Sequence, residues 1–292
     1  MQLTGILLIL ASAACFGSMA LFARWTYADG VTPGTLLFLR FGIGALLIGA
    51  WLAWRGVALP RGKALRGYAG LGVLYAAMAW SFFSALQHTS SGLAALLLYT
   101  YPLFVALIAA AVGLERFGRT EGLALAIATG GLLLALGGDA GGGNPLGIAL
   151  ALAAALIYAI YIITGSRLGG DGTTPPLAAA LVVLVSGATC HGIAGSLTGF
   201  ALPNSASGWI GAIAIGVFGA ALAIAAFFAG LQRVGPTRAS VLSTLEPLVT
   251  IALGVAFLDE QLAWPQVVGG TAILAAAVLL AVTPKAPAGQ AG

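Results

Sequence analysis

Ten apolar runs, each about as long as a lipid bilayer is thick, limit this chain more than any other feature. They cover residues 4–23, 33–54, 67–86, 92–113, 121–138, 145–166, 175–199, 209–231, 238–258 and 265–283. A spanning helix needs about 20 mostly apolar residues. In hydrocarbon every backbone N–H and C=O must be satisfied within the segment, which leaves helices or closed barrels. Runs of this length and continuity read as helices. The expected fold class is therefore an all-α membrane protein with ten transmembrane helices.

Composition agrees. Only 7% of residues are charged, against about 25% in soluble domains. The 43 glycines, with abundant alanine, suit helices packed closely inside a membrane. The net charge of +4 does not point to nucleic acid, because the basic residues sit in short gaps between the runs. With the N-terminus placed in the cytoplasm, the inner gaps and tail hold Arg55, Arg61, Lys63, Arg66, Arg116, Arg119, Arg167, Arg233, Arg238 and Lys285, and the outer gaps hold only Arg24. Basic residues resist translocation, so this bias predicts both termini inside. Cys15 and Cys190 lie within apolar runs and read as small buried hydrophobes. The first run has no leading Lys or Arg and continues past Cys15, so it is read as a retained helix, not a cleaved signal.

The chain resembles itself. At an offset of 142, Thr32-Pro33 falls on Thr174-Pro175. At an offset of 145, Ala85-Leu86-Gln87 falls on Gly230-Leu231-Gln232, Tyr101-Pro102-Leu103 on Glu246-Pro247-Leu248, and Glu115 on Glu260. Two five-helix halves follow, residues 1–143 and 144–284, joined by Asp139-Ala-Gly-Gly-Gly-Asn144-Pro145 and followed by a disordered cytoplasmic tail, 285–292. Five is odd, so the second half enters from the opposite side and the repeats are inverted. Such repeats provide similar gates on either side of a central site.

Proline within the fourth and ninth runs, with an acidic residue soon after each, resembles the EamA family of the drug/metabolite transporter superfamily. The residues carrying the likeness are Tyr101-Pro102-Leu103-Phe104, Leu114-Glu115-Arg116-Phe117, Leu245-Glu246-Pro247 and Leu258-Asp259-Glu260-Gln261-Leu262, with Phe16-Gly17-Ser18 and Arg40. The resemblance implies a multi-pass exporter of a bacterial inner membrane, taking amino acids, hydrophobic or aromatic ones included, or related metabolites by alternating access. Drug or toxic-cation efflux is the alternative. Tyr101 stands where the second half has Glu246, so the halves are not chemically symmetric.

Glu246 is the leading functional candidate. It lies about 12 Å into its helix, where a carboxylate must be paired, protonated or wetted. It suits contact with a substrate amine or proton carriage, or it serves backbone freed by Pro247. Arg40 is expected to snorkel outward, to pair with Glu246 or to meet a substrate carboxylate. Ser240, Ser243 and Thr250 form a polar stripe on one helical face, which either lines the central cavity or serves helix packing with its hydroxyls bonded to their own backbone. The deep aromatics Tyr75, Phe82, Tyr99, Tyr101, Tyr158, Tyr161 and Phe227 could wall an apolar cavity with a few polar groups. With Ser18, Ser243 and Glu246 they make the expected substrate-binding set, contributed by runs one, three, four, six, eight and nine. Trp25, Trp51, Trp54 and Trp264 read as interfacial anchors.

No cofactor or metal is expected, because His88 and His191 stand apart and lack further ligands. Neither HExxH nor Gly-x-Ser-x-Gly occurs, so an enzyme is not expected. The expected partners are a small-molecule substrate and the lipid bilayer, with the chain acting as a monomer.

Overall fold

The computed structural model describes residues 2–85, 88–89, 91–114, 118–136, 144–170, 172–257 and 263–283. All regular elements among them are helical. Eight helical stretches are long and apolar enough to cross a membrane: Gln2–Ala28, Pro33–Trp54, Gly62–Ala85, Leu93–Ala111, Pro145–Gly169, Pro176–Thr198, Ala206–Val234 and Pro236–Phe257. A shorter apolar helix covers Val267–Leu280. Gln87, Glu115, the 137–143 part of the central link, the 258–262 motif and the 285–292 tail lie outside the described residues.

In chain order the helices are α1 (Gln2–Gly17), α2 (Met19–Ala28), α3 (Pro33–Trp54), α4 (Gly62–Ala85), α5 (Ser91–Leu98), α6 (Tyr101–Ala111), α7 (Arg119–Leu136) and α8 (Pro145–Gly169). They continue with α9 (Pro176–Thr198), α10 (Ala206–Gly216), α11 (Ala223–Val234), α12 (Pro236–Leu242), α13 (Glu246–Phe257) and α14 (Trp264–Val282). Four of the ten expected continuous helices are therefore interrupted, each for a local reason. At the Gly17-Ser18 pair, the Ser18 hydroxyl donates to the Cys15 carbonyl at 2.7 Å and α1 bends into α2. Pro102 has no N–H and its ring crowds the preceding turn, so α5 ends and α6 begins beside it. Pro247 acts the same way, and the turn before it, Ser243–Leu245, tightens to a 3₁₀ helix. Between α10 and α11 the turn widens to a π-helix over Val217–Leu222.

Helix starts follow sequence chemistry. Pro33, Pro145 and Pro176 open α3, α8 and α9, where a missing N–H costs nothing. Thr32, Asn144 and Ser205 cap α3, α8 and α10 with side-chain oxygens.

Small residues set the packing. A Cβ on Gly72 in α4 would stand 2.5 Å from the Val183 carbonyl of α9, and one on Gly5 in α1 would stand 2.7 Å from Arg233 Cβ at the end of α11. Ala154, Ala155, Ala159, Ala178, Ala179 and Ala180 are fully buried. Where lipid offers no hydrophobic drive between helices, close backbone approach of this kind supplies the attraction. The outward faces are apolar, and Trp54 and Trp264 are 73% and 76% exposed, as anchoring rings should be.

The first and last described helices meet at one end of the bundle, where the Gln2 amide donates to the Thr283 carbonyl. Arg238, counted from sequence as a loop charge, is here 2% exposed because α12 already begins at Pro236. Its guanidinium donates to Glu121 Oε1 at 3.1 Å and to the carbonyls of Leu280 and Thr283 at 3.3 and 2.9 Å. The last carbonyls of a helix have no intrahelical partner. One side chain thus satisfies the end of α14 and pairs with the first turn of α7.

Candidate binding cavity

A cavity of about 160 Å³ lies within the bundle, walled by α1–α2, α3, α4, α5–α6, α8 and α13. Six of the ten residues expected from sequence line it: Tyr75, Phe82, Tyr99, Tyr101, Tyr158 and Glu246. Phe16, Met19, Arg40, Met78, Phe83 and Leu98 complete most of the wall.

The breaks before proline build its polar side. Tyr99 sits in the turn between α5 and α6, and Tyr101 and Glu246 are the residues immediately before Pro102 and Pro247. Tyr99 and Glu246 both line the cavity. The Tyr101 hydroxyl donates to the Ser240 carbonyl at 3.3 Å. Tyrosine rings continue from there: Tyr101 to Tyr158 at 4.6 Å between centroids, Tyr158 to Tyr161 at 5.8 Å, and Tyr161 to Tyr75 at 5.2 Å. These are the offset and tilted arrangements that aromatic quadrupoles prefer.

The remaining four expected residues stand elsewhere. Tyr161 and Phe227 are packed behind the wall, each 2% exposed. Ser243 is buried in the 3₁₀ turn. Ser18 serves the kink between α1 and α2. The polar stripe does not face the cavity as a unit. Ser240 donates to the Thr237 carbonyl at 2.8 Å, while Thr250 donates to the Gly17 carbonyl at 3.0 Å and joins α13 to α1. Hydroxyls in an apolar interior take the nearest carbonyl, which periodicity alone does not reveal. The run-eight helix likewise contributes no cavity-lining residue, and α3 takes that place through Arg40.

Arg40 does not snorkel. It is 7% exposed and lines the cavity. Its Nε donates to the Gly219 carbonyl at 2.9 Å and its Nη2 to the Tyr75 hydroxyl at 2.9 Å. The guanidinium carbon lies 5.7, 5.3 and 5.6 Å from the ring centroids of Phe16, Phe41 and Tyr75, within cation–π range. It makes no ion pair within 4 Å to Glu246 among the described residues; Arg238–Glu121 is the pair found there. A second, larger concavity of about 800 Å³ adjoins through Phe82, which lines both, and is bounded by Arg24, Tyr27, Ala95 and Thr250.

Known proteins resemble the chain along nearly its whole length. A transporter of Bacillus subtilis, YcbK, itself uncharacterized, is 29% identical over 284 residues, covering 91% of this chain and 88% of its own. The threonine/homoserine exporter RhtA of Escherichia coli is 30% identical over 276 residues, covering 94% and 89%. The inner membrane transporter YedA of the same organism, also uncharacterized, is 29% identical over 263 residues, covering 85% and 84%. A solved crystal structure with 21% identity superimposes with a TM-score of 0.85 over 97% of this chain and 99% of that one, which shows the fold to be shared. The EamA-like transporter family matches twice, at residues 3–137 and 145–282, and the chain therefore belongs to that family as a multi-span membrane transporter.

Proposed function

We propose that the chain exports small metabolites, amino acids first among them, by alternating access between two inverted five-helix repeats, residues 1–143 and 144–284. In this reading α7 and α14 complete the ten crossings, both termini are cytoplasmic, and a single chain encloses the route. The meeting of Gln2 with Thr283 at one end of the bundle supports an even number of crossings. The exporter activity named for RhtA supports the substrate class.

The observation that carries the proposal is the cavity itself: an aromatic-walled space that holds Glu246, Arg40 and four tyrosines inside a lipid-embedded bundle. Ionisable groups at such depth face a substrate pathway or a partner. The volume of about 160 Å³ favours small solutes over bulky drugs, whose pockets run from roughly 300 to 1,000 Å³. The test is efflux from liposomes containing the purified protein, using a panel of labelled amino acids, amines and organic acids. Saturable flux of one or more amino acids is expected. Absence of saturable flux for every solute removes the proposal.

A further inference from the structure

We infer that Arg40 is the receptor for a substrate carboxylate and that, together with Glu246, it restricts the cavity to small zwitterions bearing both a carboxylate and an ammonium group. The inference rests on the transport reading above and adds to it a residue role and a selectivity.

Arg40 is held as a receptor would be held. It lies in the eighth position of the 22-residue α3. Two of its donor nitrogens are engaged by neutral oxygens, the Gly219 carbonyl and the Tyr75 hydroxyl. The Nη1 group donates to nothing among the described residues, and no carboxylate among them lies within 4 Å. A buried cation whose direct hydrogen-bond partners are all neutral retains much of its desolvation cost. An incoming carboxylate would offset that cost with a charge-assisted bond.

The anchoring is specific. The π turn over Val217–Leu222 breaks the usual carbonyl ladder of the helix, and Gly219 within it turns its carbonyl to Arg40 Nε. A side chain at 219 would also collide with α2, since a Cβ there would be 2.5 Å from Met19 Cγ. The fork is thereby fixed from one side and its free nitrogen left available.

Glu246 supplies the opposite pole on the same cavity. It lines the cavity with Arg40 and stands within 4 Å of no cation among the described residues. A guanidinium and a carboxyl group thus share one small space without a direct ion pair. An α-amino acid brings its own two charges in complementary order and satisfies both. A simple cation would engage Glu246 and leave Arg40 uncompensated. A simple anion would do the reverse. Leaving a buried polar group unpaired is what makes such discrimination strong.

A purely structural Arg40, bracing α3 against α4 and the π turn, would affect stability and leave selectivity alone. The experiment separates the two. Ligand binding to the purified protein in detergent is followed by thermal shift and calorimetry across the free amino acids. The best binder is then compared with its amino alcohol, which lacks the carboxylate, and its α-hydroxy acid, which lacks the ammonium. The wild type should bind the amino acid at least tenfold more tightly than either analogue. Arg40→Gln should weaken the amino acid by about ten- to a hundredfold and erase its advantage over the amino alcohol. Glu246→Gln should erase its advantage over the hydroxy acid.

Equal wild-type affinity for amino acid and amino alcohol overturns the inference without any variant, so a poorly folding Arg40→Gln does not protect it. Unchanged discrimination in a folded Arg40→Gln protein overturns it as well. A wild type that moves amines and ignores every amino acid refutes the carboxylate role while transport stands. One that moves nothing refutes the transport reading itself.

Discussion

Gly17→Ala is the substitution on which the packing argument can most sharply fail. Gly17 ends α1 where it crosses α13, and a Cβ there would lie 2.6 Å from the Glu246 carbonyl oxygen and 2.7 Å from Val249 Cβ. Ordinary contacts begin near 3.4 Å, so the two helices must separate by several tenths of an ångström. The obstacle is a backbone atom, which no rotamer change can move aside. Overpacking of this kind costs about 1–3 kcal/mol. Against it stands the helix propensity gained on replacing glycine by alanine, about 1 kcal/mol. The net expectation is a loss of about 0–2 kcal/mol, together with a displaced Glu246 and weakened ligand binding. Gly42 provides the control: it lies within α3, and a Cβ there meets nothing within 4 Å. Gly42→Ala should therefore leave stability unchanged or raise it by up to about 1 kcal/mol. Thermal unfolding of both variants in the same detergent decides the matter. A Gly17→Ala protein as stable as Gly42→Ala, with wild-type ligand affinity, would refute the close approach of α1 to the Glu246 turn.

Three further outcomes are expected. Arg238→Met should destabilise the protein by about 3–5 kcal/mol, because Glu121 and the Leu280 and Thr283 carbonyls lose their shared donor; Glu121→Gln should cost less, since two acceptors of the guanidinium remain. Denaturation midpoints that rank the two variants in the opposite order would count against that bonding. In Asp29, the backbone N–H groups of Ser205 and Asn204 donate to Oδ2 and hold the carboxyl below its ordinary range, with Ser205 the larger cause. A depressed carboxyl stabilises the folded state above its unfolded pKa, and the benefit drains as pH falls through the folded value. The melting temperature of wild type should therefore exceed that of Asp29→Asn at neutral pH and converge on it under acid; a constant gap from pH 7 to pH 3 would contradict this. Tyr75→Phe removes the acceptor of Arg40 Nη2. It should weaken amino-acid binding about three- to tenfold, and equal affinities in calorimetry would show that Tyr75 does not position the guanidinium.

The two prolines show how far the residue order could be read and where it stopped. Pro102 and Pro247 stood out because each interrupts an apolar run, and the covalent chemistry of proline makes a break there nearly obligatory. That break places Tyr101 and Glu246 at the cavity, so a local rule led to a tertiary site. Arg40 could not be placed by the same means. Nothing in residues 33–54 states that its guanidinium will meet a carbonyl 179 positions away, released by a π turn that carries no proline. Of the two readings of the Ser240–Thr250 stripe, hydroxyls bonded to backbone is the one the carbonyls chosen by Ser240 and Thr250 favour, since periodicity locates a face of a helix and not the partner of each hydroxyl. Arg238 was misread because the run was started two residues late, and that shift changed a loop charge into a buried pair.

The placement of charge follows from what the bilayer permits. Within a lipid-facing bundle, a cation and an anion near each other would normally collapse into an ion pair, because the pair hides both from hydrocarbon. Arg238 and Glu121 do so at one end of the bundle, at 3.1 Å, and leave no space between them. Arg40 and Glu246 do not. Arg40 is met instead by a released carbonyl and the Tyr75 hydroxyl, and the space between it and Glu246 stays open. Maintaining two such charges apart costs folding energy that the pair at the bundle end does not. A sequence under pressure only for stability would close the gap or replace both residues with leucine. Their separation is therefore the feature of this bundle that packing alone does not account for, and a ligand carrying the complementary charges does.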